Sequence, residues 1–186
     1  MIKKLKPKSE FTRNVVTLMT GTTIAQAIPI AISPILTRIY TPEDFGVFAI
    51  YMSLLSIVAV VATGRYELAV MLPKNKKEAI NIVAASFLIS LTISICLLII
   101  ILFFNKHITT LIGTPEIANW LYLIPLSVFL AGSYQSLNYW NNRQKKYNLM
   151  AKSKVYQSVS TGSANLAIGF MDFSKFGLII GQFTGD

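Results

Sequence analysis

The sequence predicts an all-α fold, a polytopic bundle of helices that cross a membrane, and three observations predict it. First, the 186-residue chain is 53% hydrophobic and only 13% charged, with a mean hydropathy of +0.56, whereas an average soluble domain is about 25% charged. Second, uncharged windows of 23, 20, 27, 26 and 17 residues cover Val15–Thr37, Phe45–Gly64, Ala79–Asn105, Ile117–Asn142 and Val155–Met171. A bilayer core needs about 20 apolar helical residues; four windows reach that length and the fifth comes close. Third, the basic residues alternate with the windows, 14 falling on one set of sides and 3 on the other. Basic residues beside span ends stay in the cytoplasm, so the N-terminus is expected inside. A net charge of +9 laid out with this period argues against a nucleic-acid surface, whose cations would gather in one patch.

The elements follow in order. The first helix is expected over Asn14–Thr37, retained as an anchor because no small-residue cleavage site closes it. Thr41-Pro42-Glu43-Asp44 reads as an N-cap, a proline at the first position and two acids in the first turn. The second helix, Phe45–Gly64, should therefore form a tight outer hairpin with the first. Arg65–Leu72 extends it toward Pro73, and Asn75–Glu78 makes an inner turn. The third helix is expected over Ala79–Phe104, with the single cysteine, Cys96, as a small apolar filler. Asn105–Asn119 reads as an outer connection and Trp120–Trp140 as the fourth helix. Arg143, Lys145 and Lys146 form a basic inner loop, continued by Lys152 and Lys154. The fifth helix covers Val155–Phe170, and Met171–Lys175 is an outer turn. A sixth starts at Phe176, leaving 11 residues to Asp186, or about 16 Å of helix against about 30 Å of hydrocarbon. The expectation is about five complete spans plus a truncated sixth, in a fragment whose C-terminal part is missing. Tyr40, Trp120 and Phe173 fall at outer boundaries and Tyr66, Tyr139, Trp140 and Tyr147 at inner ones, as interfacial belts would.

Polar side chains within the windows mark candidate sites, because a polar group in lipid needs a partner. Thr22, Gln26, Pro29 and Ser33 share one face of the first helix. Serine and threonine can bond their own backbone, but the Gln26 amide needs another helix or water. In the fifth helix Gln157, Thr161 and Asn165 recur every four residues, flanked by Ser158, Ser160 and Ser163; either close helix packing or a water-filled cavity would satisfy them. Ser127, Gln135 and Asn138 make a weaker set in the fourth helix. The charged candidates are Arg38, at the outer mouth, and Arg65 and Glu67, at the inner end of the second helix. Each reads either as an interface anchor or as a cavity residue, an arginine being suited to a diphosphate. No catalytic residue is expected, since phosphate loops, zinc-protease motifs and paired intramembrane acids are absent from the sequence. No metal site is expected either, His107 having no second ligand beside it.

Particular stretches then carry a resemblance. Gly21–Pro29 runs into Pro34-Ile35-Leu36-Thr37-Arg38-Ile39-Tyr40-Thr41-Pro42-Glu43-Asp44-Phe45-Gly46, followed by Gly64-Arg65-Tyr66-Glu67-Leu68-Ala69 and by Asn138–Arg143. Over most of residues 10–155 this resembles the N-terminal lobe of bacterial polysaccharide flippases, the O-antigen and exopolysaccharide translocases of the multidrug/oligosaccharidyl-lipid/polysaccharide exporter superfamily. The resemblance implies a multi-pass protein of the bacterial cytoplasmic membrane, with residues 1–186 as one lobe. It implies movement of undecaprenyl-diphosphate-linked oligosaccharide from the inner to the outer leaflet, without chemistry and without a bound cofactor. A proton or sodium gradient is the implied energy source, and membrane lipids and other polysaccharide-assembly proteins are the implied partners. The cavity candidates on this reading are Gln26, Arg38, Arg65, Glu67, Gln157, Thr161 and Asn165. A polysaccharide polymerase or ligase of the same pathway, and a drug or cation exporter of the same superfamily, remain the alternatives. The first calls for a large outer loop with catalytic Arg or His, the second for intramembrane acids.

Overall fold

Six α-helices make up most of the described residues, 10–171 and 174–185, of the computed structural model: α1 (Glu10–Ile39), α2 (Pro42–Ala59), α3 (Lys76–Ile112), α4 (Ile124–Arg143), α5 (Tyr147–Phe170) and α6 (Ser174–Gly185). Short 3₁₀ turns occupy Tyr66–Met71, Pro115–Ile117 and Trp120–Leu123, and no strand occurs among the described residues. The fold is all-α and of membrane type. Thr12–Ile39, Pro42–Ala59 and Lys76–Ile112 are each long and apolar enough to cross a bilayer, whereas α4 and α5, with 20 and 24 residues, have the length but a more polar content. Val16, Met19 and Ile30 of α1 and Leu98, Leu102 and Phe103 of α3 are exposed. Lipid can cover such faces without cost; water cannot. Lys3, Lys4, Lys6, Lys8, Phe173 and Asp186 lie outside the described residues.

The corner after α1 forms as its residue types dictate. Thr41 is extended, its hydroxyl accepts from the Asp44 N–H, and the Asp44 carboxylate accepts from the Thr41 N–H at 2.9 Å, with Pro42 at the first helical position. This reciprocal box satisfies donors that a helix start leaves free. Thr41→Ala should lower stability by about 1 kcal/mol, read as a fall in the thermal unfolding midpoint with no change in helix content. The corner does not produce a packed hairpin, however. α1 makes its main contact with α5, while α2 packs on α4 and α6. Pro29 and Pro34 lie inside α1 and do not end it, consistent with local kinks.

Further expectations need correcting. The fifth helix begins at Tyr147, not Val155, so Lys152 and Lys154 lie in α5 and not in a loop. The second helix stops at Ala59, where the Val61 and Ala62 N–H groups bond the Val58 and Ala59 carbonyls in tighter turns, and it does not resume through Arg65, because Gly64 and Arg65 are both left-handed, with φ of 57° and 60°. Two such residues in succession cannot continue a right-handed helix, and the chain turns into the Tyr66–Met71 3₁₀ segment packed on α3 and α4. Asn105–Ile112 is not a loop: α3 continues until Gly113, whose φ of 75° ends it in the usual left-handed manner. Cys96 is exposed on the outer face of α3, not buried as a filler.

The apolar core joins α2, α3, α4 and α6 through Tyr51, Leu55, Ile101, Ile124, Val128 and Ile179. Serines serve this side of the bundle as packing groups. Ser127 shares a 2.7 Å hydrogen bond with the Tyr51 hydroxyl, and Ser94 donates to the Pro125 carbonyl at 2.5 Å. A Cβ at Gly132 would overlap the Ser90 hydroxyl, so α3 and α4 approach as small residues allow. The other side, α1 with α5 and α6, leaves a groove.

Candidate functional site in the groove between α1 and α5

The groove exists because α5 is built from small and polar residues along the face it turns toward α1. A Cβ at Gly21 would lie 2.5 Å from the Ala151 Cβ, one at Gly162 2.7 Å from Ile32, and one at Gly169 2.7 Å from Ile39. Ser158 ties the same seam by donating to the Ala25 carbonyl at 2.6 Å. The two helices thus touch at intervals along their length, and beside that seam a hollow of about 440 Å³ opens. Its volume falls within the range of small-molecule sites, about 300–1,000 Å³.

Its walls carry one α1 face, Thr22, Gln26 and Pro29 with Ile32 and Leu36, against Lys154, Gln157, Thr161 and Asn165 of α5. Tyr134 of α4 and Gln182 of α6 complete the lining. Four of the sequence candidates, Gln26, Gln157, Thr161 and Asn165, are brought together here. Cavity lining and close packing both occur on α5, but on different faces: Gln157, Thr161 and Asn165 line the hollow, while Ser160 donates to the Thr184 carbonyl on α6 at 3.2 Å. Ser33 is exposed and is not part of the lining.

The remaining candidates lie elsewhere. Arg38 is exposed at the end of α1 and Arg65 is exposed in its left-handed turn. Glu67 is fully buried, takes a hydrogen bond from Thr63, and belongs to the 3₁₀ segment between α3 and α4. Arg143 holds that segment from below, donating to the carbonyls of Val70 at 3.0 Å and Pro73 at 2.5 Å. None of the four lines the groove.

The cation that does line it is Lys154, half-buried, with its ammonium 3.5 Å from the Thr22 hydroxyl. From the sequence Lys154 is expected among the loop cations, but it lies within α5. The missed signal was spacing: Lys154 stands three residues before Gln157 and so heads the same stripe. Among the described residues the lining contains no Asp or Glu, so these residues offer one positive charge and a run of neutral hydrogen-bonding groups.

The opposite end is closed by a residue expected at a membrane interface. Tyr40 is only 3% exposed and donates to the Asn165 carbonyl at 2.7 Å. Burial, and secondarily the Asp44 carboxylate, hold its phenol above the ordinary tyrosine value, which keeps the donor protonated. Glycines admit it: a Cβ at Gly177 of α6 would overlap the Tyr40 hydroxyl, and one at Gly181 would overlap the Asn165 side chain. Tyr40 and the two glycines therefore lock α1, α5 and α6 together at this end.

Neither a curated protein nor a solved structure matched the chain. A family model described as "Polysaccharide biosynthesis protein" matches residues 35–186, a span that begins before the Tyr40 corner and takes in α2 to α6 with most of the groove. The chain belongs to that polysaccharide biosynthesis protein family.

Proposed function

We propose that the chain forms one side of a pathway that carries undecaprenyl-diphosphate-linked oligosaccharide across the bacterial cytoplasmic membrane, from the inner to the outer leaflet. The observation that carries this reading is the groove itself. A lipid-linked glycan presents an anionic phosphate followed by a neutral, hydroxyl-rich body, and the groove presents Lys154 followed by Gln157, Thr161 and Asn165. An ammonium suits the first group and neutral donors and acceptors the second.

On this reading the protein breaks no covalent bond. Alternating access moves the head group between leaflets, driven by a proton or sodium gradient, in a multi-pass protein whose N-terminus is cytoplasmic. Membrane lipids and other polysaccharide-assembly proteins surround it. A site for cationic drugs is the weaker alternative, since the described lining residues include a lysine and no acid.

Depleting the intact protein in cells tests the role. Lipid-linked oligosaccharide should accumulate with its sugar on the cytoplasmic face, shown by its resistance to periplasmic sugar-modifying enzymes in spheroplasts. Unchanged accessibility, with normal export, would contradict the proposal.

A further inference from the structure

The α1–α5 seam carries a second hollow toward the start of both helices. It measures about 370 Å³ and places Arg13 of α1 across from Lys145 and Lys146 of the α4–α5 turn. The turn is shaped to do this. Lys145 is left-handed, with φ of 55°, and the N–H groups of Lys145 and Lys146 bond back to the carbonyls of Asn142 and Asn141 at 2.9 Å. Glu10 is the acid among the described lining residues, so within that set three cations face one carboxylate. α5 also begins here with no side chain capping it, and its amino end adds partial positive charge.

The two hollows lie in one line. Arg13 precedes Thr22 by nine residues and Lys146 precedes Lys154 by eight, which is about 12–14 Å of helix on either side. What separates them is the contact of Gly21 with Ala151, where a Cβ on the glycine would come within 2.5 Å of the alanine Cβ. Above it, Pro29 and Pro34 each remove a donor from the hydrogen-bond ladder of α1.

We propose that this basic hollow is a docking vestibule for the phosphate of the lipid-linked ligand, from which the head group passes Gly21 to reach Lys154. The inference rests on the transport reading of the groove and adds a second phosphate station to it. The stations are farther apart than the screening length of about 8 Å at physiological salt, so each attracts the phosphate separately. The vestibule's exposed cations set the rate of capture, whereas half-buried Lys154 sets the rate of escape.

The test measures association and dissociation of farnesyl diphosphate on the intact protein in nanodiscs of zwitterionic lipid. Arg13→Gln with Lys146→Gln should slow association about tenfold and flatten its salt dependence, leaving dissociation within about twofold. Arg13→Lys with Lys146→Arg should restore association, which separates charge from folding. Lys154→Gln should instead speed dissociation. Normal association in the double glutamine variant, with dissociation still faster in Lys154→Gln, overturns the vestibule and leaves the groove reading intact. No binding by the wild-type protein overturns both. Repeating the titration at fixed ionic strength with phosphatidylglycerol added identifies the source of the phosphate. If that lipid alone lowers wild-type association to the level of the double variant, the hollow is a phospholipid site and the proposal is wrong.

Discussion

Lys154→Gln should weaken binding of an isoprenyl-diphosphate-linked sugar by about 10- to 150-fold, the equivalent of a charge-assisted hydrogen bond of about 1.5–3 kcal/mol. The size follows from position. Lys154 is half-buried and is the cation lining the groove, so its charge is less screened than that of the exposed Arg38 or Arg65. Lys154→Arg should retain most of the binding, because a cation remains. Arg38→Gln and Arg65→Gln should change it by less than about twofold, as neither residue lines the groove or the basic hollow. Isothermal titration on the intact protein in nanodiscs checks all four. Equal losses at Arg38 and Lys154 would show that general positive charge, not the groove, binds the phosphate.

The largest structural effect is expected at Gly177. A valine there would drive its Cβ into the Tyr40 hydroxyl and to within 2.9 Å of the ring carbon bearing it, with the Ile168 side chain 3.1 Å away. The ring cannot swing aside cheaply, being buried and bonded to the Asn165 carbonyl. Overpacking of this kind costs about 1–3 kcal/mol, and more where backbones are forced apart. Gly177→Val should therefore loosen α6 from α5, lower the unfolding midpoint and raise hydrogen exchange in both helices. In a double-mutant cycle with Gly177→Ala, Tyr40→Phe should recover part of the loss, with a coupling of about 0.5–3 kcal/mol. Strict additivity would show that Tyr40 and α6 are not in contact.

Much of this architecture was legible in the sequence because lipid constrains composition strongly. Uncharged windows marked α1 to α5, and Thr41-Pro42 marked the start of α2 correctly. What escaped reading was set by backbone conformation and by partners distant in sequence. Nothing in Arg65 announces a left-handed φ, yet with Gly64 it turns the chain into the Tyr66–Met71 segment. Asn105–Ile112 contains polar residues, and only the absence of a breaker before Gly113 signals that α3 continues. Tyr40 reads as an interfacial aromatic until Gly169 and Gly177, more than 120 positions away, are seen to enclose it.

The site divided in the same way. Its neutral half was readable, since Gln26, Gln157, Thr161 and Asn165 repeat at helical spacing and converge on one groove. Its charged half was not. Arg38, Arg65 and Glu67 stood out as charges near apolar windows, whereas Lys154 was hidden among neighbouring basic residues. Side-chain type alone does not tell an anchoring cation from a lining one; the stripe it heads does.

The central claim is that the Lys154 groove carries a phosphate-linked sugar across the bilayer. Its most direct test is transbilayer movement of a fluorescent isoprenyl-diphosphate-linked sugar in proteoliposomes holding the intact protein, followed by accessibility to an external quencher. Movement should exceed that in protein-free vesicles, fall about tenfold or more with Lys154→Gln, and be absent for a sugar lipid lacking phosphate. Equal movement with and without the protein, or with and without the phosphate, would contradict the account.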